Sequence, residues 1–243
     1  MRHFHRNQAR WPGLWKGCVG AWAPCLGPSG LVLRDWSGRQ NHGTLTNMAA
    51  ASAWGAKSLL FDNVDDYVNC GTSSILGGSA PFSVSCWFNT SLVSDYQVFV
   101  SKTVTGSDGW QIGIFSSKAY FQINTTFNTG GGTPVVSTWN HVVGTWDGTT
   151  IRCYLNGGAP NTVAVSTITP SSNALWIGGV QTSTTAPMNG RLDDIRVYNR
   201  VVNAREIALL GTRRGISYDL RRSSVGSALS TGIRRRRILM GME

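Results

Sequence analysis

Glutamate is almost missing from this 243-residue chain, which has only Glu206 and Glu243. A glycosidase needs two carboxylates flanking the scissile bond, about 5 to 5.5 Å apart for retention, and no Glu-x-Asp-x-x-Glu strand is present to supply them. Charge of either sign is sparse, at 14% of residues against roughly 25% in an ordinary globular domain. The four histidines (His3, His5, His42, His141) form no HExxH and no Ser/His/Asp grouping, which excludes the common zinc hydrolase and triad patterns. The five cysteines are an odd number without a CxxC or a Cys/His zinc spacing, so at least one thiol is unpaired. Cys86 and Cys153 fall in the apolar phase of strand-like runs and read as buried thiols, while a Cys18–Cys25 bridge is the pairing left open. No stretch approaches about 18 uninterrupted apolar residues, so no membrane-spanning helix is expected. The N-terminal MRHFHRNQARWPGLWKG has positive charge but no apolar core segment, and synthesis in the cytoplasm without a signal peptide is expected.

What is present is apolar and turn-forming: 41% hydrophobic residues, ten Trp and 29 Gly, enough apolar surface to bury a core behind short strands and polar turns. The net charge of +10 is not spread over the chain. Residues 1–16 carry +4 and residues 213–243 carry +6, so residues 17–212 are formally neutral. This divides the chain into a basic arm (1–16), a folded domain (17–212) and an arginine-rich tail (213–243). Inside the domain, apolar alternation with period two recurs between Gly, Asn, Asp and Pro. In PFSVSCWF, Phe82, Val84, Cys86 and Phe88 share one face and Ser83, Ser85 and Trp87 the other. WQIGIF and AYFQIN read as a hairpin, as do NHVVGTW and TIRCYL, and Asn156-Gly157 marks a further type I′ turn with a return strand after it. In GRLDDIRVY both strand faces are occupied, with Asp193 and Asp194 expected on opposite sides. One short helix is expected after Asn203, capped by Asn203 and Glu206, striped by Ile207, Leu209 and Leu210, ended by Gly211, and placed at a sandwich edge.

Taken in order, GCVGAW (17–22), DWSGRQNHGTL (35–45), SLLFDNVDDYVNCG (58–71), PFSVSCWF, STWNHVVGTWDGTTIRCYLNG (137–157), WIGG and MNGRLDDIRVYNRVVNAREIALL (188–210) resemble a laminin G-like, concanavalin A-like domain. The resemblance covers roughly four fifths of the chain and implies an all-β fold, a two-sheet antiparallel jelly-roll sandwich with one short C-terminal helix and basic terminal extensions. It also implies a module that binds glycans or proteins without catalysis, of a kind found among bacterial and phage structural proteins.

Candidate functional residues follow from chemistry. Asp62, Asn63, Asp65, Asp66 and Asp193 are a pool of hard oxygen ligands for Ca²⁺. Against this, Asp65 and Asp66 serve equally as turn caps, and Asp193 or Asp194 as the partner of Arg191 or Arg196. Asn41, His42 and Gly43 read as a tight turn. Trp22, Trp139 and Trp146 are assigned to core, and Trp110, Tyr120 and Tyr96 to ring stacking on a sugar. Arg213, Arg214, Arg221, Arg222, Arg234, Arg235, Arg236 and Arg237 are assigned to docking on acidic protein subunits of an assembly, a capsid among the candidates. Nucleic acid is a partner only through the tail. Two function classes compete: a surface or accessory subunit of a phage or virus-like particle, and a lectin-like adhesion module, with a glycoside hydrolase a distant third. The absence of a secretion signal and the free thiols favour the particle and place the protein in a virion.

Overall fold

The computed structural model describes residues 9–220 except 77–79, 95, 105–106, 131 and 182–185. The alternating runs form two antiparallel sheets, with a single helical turn, α1 (Ala50–Ala53), leading into the first of them. The first follows the order β14 (Asn161–Ala164), β13 (Thr150–Leu155), β12 (Asn140–Trp146), β7 (Phe82–Asn89), β16 (Asn189–Tyr198), β5 (Ser58–Asp62), β4 (Trp54–Gly55), with β1 (Cys18–Trp22) also paired to β16. The second follows β11 (Thr126–Thr129), β10 (Lys118–Ile123), β9 (Trp110–Phe115), β8 (Gln97–Lys102), β15 (Trp176–Ile177), β6 (Tyr67–Asn69), β3 (Gly43–Thr46), β2 (Val32–Leu33). This is the expected jelly-roll sandwich. Both expected hairpins form, and Ser116-Ser117 and Asn156-Gly157 turn with the positive φ angles of a type I′ turn, the latter leading into β14.

Between the sheets lies the main core. Phe82, Val84, Cys86 and Phe88 enter it from β7, and Ile112, Ile114, Phe121 and Ile123 face them from β9 and β10. Trp22 and Trp146 belong to it as expected. DWSGRQNHGTL is a structural knot around the buried Asp35 carboxylate, which accepts from the backbone N–H of Ala21 (2.9 Å), Ser37 (2.8 Å) and Asn41 (3.0 Å). Gly43 is required where β3 pairs with β6, since a Cβ there would sit 2.4 Å from Val68 Cγ1. All five cysteines are free thiols, so the Cys18–Cys25 bridge does not form. Burial raises the Cys18 pKa to about 11 and that of Cys153 to about 12, which keeps both protonated.

A second core covers the outer face of the first sheet, and it moves the expected boundaries. Leu14 and Trp15 from the assigned arm, Ile216 and Tyr218 from the assigned tail, and Ile207 and Leu210 from α2 (Ala204–Leu210) pack together there on Val143 and Tyr198. Ala9 bridges Leu220 antiparallel, and Arg10 N–H donates to Asp219 O at 2.6 Å. The folded unit therefore includes residues 9–16 and 213–220, whose charge alone had set them apart as extensions. The helix has the expected capping box, with Asn203 Oδ1 accepting from Glu206 N–H, but it lies across the sheet face and not at an edge. Trp87 Nε1 donates to Leu210 O at 3.2 Å, which ties β7 to it.

Arg196 is the centre of this second core. Its side chain is fully buried, its Nε donates to Asp194 Oδ1 at 2.8 Å, and its guanidinium lies 4.7 Å from the Trp15 ring and 4.8 Å from the Tyr218 ring. Burial opposes its charge, but Asp194 and the Tyr218 and Tyr198 rings around it hold it protonated, with the pKa above the usual arginine value. A fragment limited to residues 17–212 loses both rings and bares this ion pair together with the apolar face. Chemical denaturation should show that fragment to be destabilised by roughly 3 to 5 kcal/mol relative to a 9–220 fragment. Equal stability of the two would show the second core to be dispensable.

His141, on β12 beneath the helix, supplies a pH dependence. It is buried, its Nε2 lies 2.9 Å from Ser85 Oγ, and burial lowers its pKa to about 4, with Asp194 opposing and Arg196 assisting. The unfolded chain, with a His pKa near 6.5, takes up this proton first. Stability contributed by neutral His141 is therefore present above about pH 6.5 and lost as pH falls toward 4, a change on the order of 3 kcal/mol. Asp66 and Asp193, both with pKa raised to about 6, act in the opposite direction. His141→Gln should flatten the acid side of the stability profile by about that amount in urea melts at pH 7 and pH 4.5.

Candidate functional site

Alternation on the second sheet decides which rings reach solvent. Ala119, Phe121 and Ile123 turn inward from β10, so Tyr120 and Gln122 turn outward. One in-register row crosses the outer face: Asn69, Trp176, Ser101, Gln111, Gln122 and Phe127. Strand spacing puts Trp176 and Phe127 about 19 Å apart. The middle of the row is covered: Ser101 Oγ donates to Gly179 O at 2.7 Å, and Gln111 Nε2 donates to Tyr96 OH and Gln122 Oε1.

Aromatic rings cluster at both ends of this row. Near β11, Tyr96, Phe115, Tyr120 and Phe127 lie with ring centroids 5.0 to 6.5 Å apart, Phe115 being 38% exposed. At the other end Tyr67 stacks on Trp176, 3.6 Å between centroids and 5° between planes, both half-buried. The Trp176 indole Nε1 has no hydrogen-bond partner among the described residues.

Of the rings assigned to sugar stacking, Tyr96 is half-buried within the cluster, Tyr120 is its buried floor, and Trp110 is a correction. Trp110 is fully buried between the sheets, because the first residue of β9 has the inward phase of Ile112 and Ile114. Trp139, assigned to core, is half-buried at the surface under Arg214, whose guanidinium carbon is 3.8 Å from the ring centroid. Trp176, Tyr67, Phe115 and Phe127 were missed. The signal for Trp176 was available: Leu175 and Ile177 flank it with core phase, which puts it outward.

The oxygen-ligand pool divides. Carboxylate oxygens of Asp62, Asp65 and Asp66 lie within 4.8 Å of one another in the turn from β5 to β6, while Asn63, at φ 67°, donates its backbone N–H to Met188 O at 3.1 Å. The three carboxylates also close that turn: Asp62 accepts from Val64 N–H at 2.9 Å, Asp66 from Asp62 N–H at 3.1 Å, and Asp65 from Asn47 Nδ2 at 2.9 Å. The set is of the right chemistry for a hard cation such as Ca²⁺. Asp193 does not join it: this buried side chain accepts from Cys25 N–H at 2.9 Å and pairs with Arg214 at 3.1 Å. A bulge in β16, with Asp194 at φ 44°, overturns the expected alternation. Both carboxylates turn to one side, Asp193 to Arg214 and Asp194 to Gly215 N–H at 2.8 Å.

The docking arginines are partly spent inside the fold: Arg213 pairs with Asp219, and Arg214 with Asp193. Arg221, Arg222, Arg234, Arg235, Arg236 and Arg237 lie outside the described residues. No helix among the described residues is long and apolar enough to cross a membrane.

Two facing antiparallel sheets, with rings on the outer face of one and a capped helix on the other, define a lectin-like β sandwich. The model of the concanavalin A-like lectin/glucanases superfamily matches residues 62–208, and the chain belongs to this laminin G-like family. No curated protein matches the sequence. Solved structures similar in fold include the binding domain of botulinum neurotoxin DC in complex with SialylT (16% identity, TM-score 0.57). They also include Trypanosoma rangeli sialidase in complex with sialic acid (18% identity, TM-score 0.60). The alignments cover 82% and 80% of this chain but only 52% and 32% of those chains, so it spans about half of one and a third of the other.

Crowding of three acids in one turn has a measurable consequence. Burial, then the charges of Asp62 and Asp65, raise the Asp66 pKa to about 6. An NMR titration should place the Asp66 midpoint there, and Asp62→Asn should move it down toward the ordinary carboxylate range.

Proposed function

We propose that this chain is a non-catalytic glycan-binding module that takes its ligand on the outer face of the second sheet. The observation that carries this reading is the set of partly exposed rings there, Tyr67 with Trp176 and Phe115 with Tyr96 and Phe127, on a face that antiparallel sheets ordinarily give to polar residues. Such rings stack on the apolar faces of sugars, and side-chain amides orient the hydroxyls. Support for the absence of catalysis comes from Glu206, which is committed to Arg200 at 2.7 Å and to its own helix cap. The SialylT and sialic acid held by the two neighbours are consistent with this choice of ligand class.

Titration calorimetry against sialylated and neutral oligosaccharides tests the reading. Trp176→Ala or Phe115→Ala should weaken binding about tenfold or more, with no sugar release in any sample. Binding unaffected by both substitutions would refute this site.

The finer reading is a virion surface or accessory subunit. The basic ends favour it, since residues 221–243 carry six Arg against one Glu. Deleting residues 221–243 should release the protein from sedimenting particles while leaving its melting temperature nearly unchanged.

A further inference from the structure

We infer that the groove between Trp11 and α2 is a docking site for an acidic protein segment that inserts one apolar side chain. The groove has a volume of about 170 Å³, with Trp11, Gly13, Leu14 and Leu209 as its walls and Arg205 and Glu206 at its margin. That is below the roughly 300 to 1,000 Å³ of sites that take small molecules, and it suits a single side chain. Trp11 is half-buried and forms one wall of the groove, so an inserted apolar side chain packs against its ring.

Charge selects the partner. The one carboxylate at the groove, Glu206, is already neutralised, with both oxygens 2.7 Å from Arg200 nitrogens and one also accepting from Asn203 N–H. Arg205 is exposed and has no ion-pair partner among the described residues, and the Arg10 guanidinium lies 5.2 Å from the Trp11 ring centroid. The Ala9–Leu220 bridge joins the two ends of the folded unit two residues from Trp11. Residues 1–8 and 221–243, which continue the chain from this junction, carry eight Arg against one Glu in sequence. An acidic segment meets the Arg205 and Arg10 guanidiniums at the groove, and the apolar side chain supplies what charge alone does not, a fixed register. The groove is on the side of the first sheet and the aromatic rings are on the outer face of the second, so docking here does not depend on the glycan reading.

The full chain should be titrated, by fluorescence anisotropy, with a fluorescein-labelled peptide of glutamates around one central leucine and with the same peptide carrying serine instead. The leucine peptide is expected to bind about tenfold tighter. A Cβ at Gly13 would find Glu206 Oε1 at 4.0 Å as its nearest neighbour, so the position has open space for a side chain, and Gly13→Val narrows the groove with no change of charge. It should erase most of the leucine preference, Trp11→Phe should reduce it, and Arg205→Glu should weaken both peptides, with unchanged melting temperatures as the control for folding. Equal affinity for the two peptides, or a leucine preference that survives Gly13→Val, would overturn the inference. So would single-stranded DNA that displaces the peptides and binds Gly13→Val as well as the parent, since the extensions would then serve nucleic acid.

Discussion

A single buried guanidinium organises the outer side of the first sheet. Arg196 leaves β16 toward that side, where Asp194 balances its charge and the rings of Trp15 and Tyr218, themselves 5.2 Å apart, flank it together. The covering rings come from opposite ends of the folded unit, so the charge is enclosed only when both ends are in place. A buried charge stripped of its π-contacts costs on the order of a few kcal/mol, and this penalty holds both ends to the sheet. Its Nη1 and Nη2 make no hydrogen bond among the described residues, which leaves the rings and Asp194 to compensate for lost water.

The arrangement separates two surfaces. Closing the first sheet under α2 and the terminal segments leaves the second sheet as the one with rings toward solvent. The β16 bulge matters to the first of them: by turning Asp193 and Asp194 to the same side it fixes residues 214–215, in the segment that leads to the Ala9–Leu220 junction. A ligand on the aromatic face and a protein in the groove would approach from opposite sides of the sandwich and would not compete.

Much of the fold was readable because its rules are local. Period-two alternation in PFSVSCWF and AYFQIN, turn dipeptides such as Asn156-Gly157, and the Asn203–Glu206 capping box each act within a few residues, and each formed as expected. The Asp62, Asp65 and Asp66 group is legible for the same reason, since one short turn holds all three.

The remainder depends on long-range contacts. Trp15 and Tyr218 look like parts of basic extensions until Arg196, which is 181 residues from the first and 22 from the second, gathers them around one charge. Asp193 and Asp194 break the alternation because a bulge is set by the pairing of β16 with β7, which no window of the sequence contains. The aromatic face joins Tyr67, Tyr96, Phe115, Phe127 and Trp176 from five separate segments, each with an outward phase visible locally. Which outward phase meets solvent and which meets a second layer of protein was settled only by the closing of α2 and both chain ends over the other sheet, because burial belongs to the assembled layers and not to any single strand.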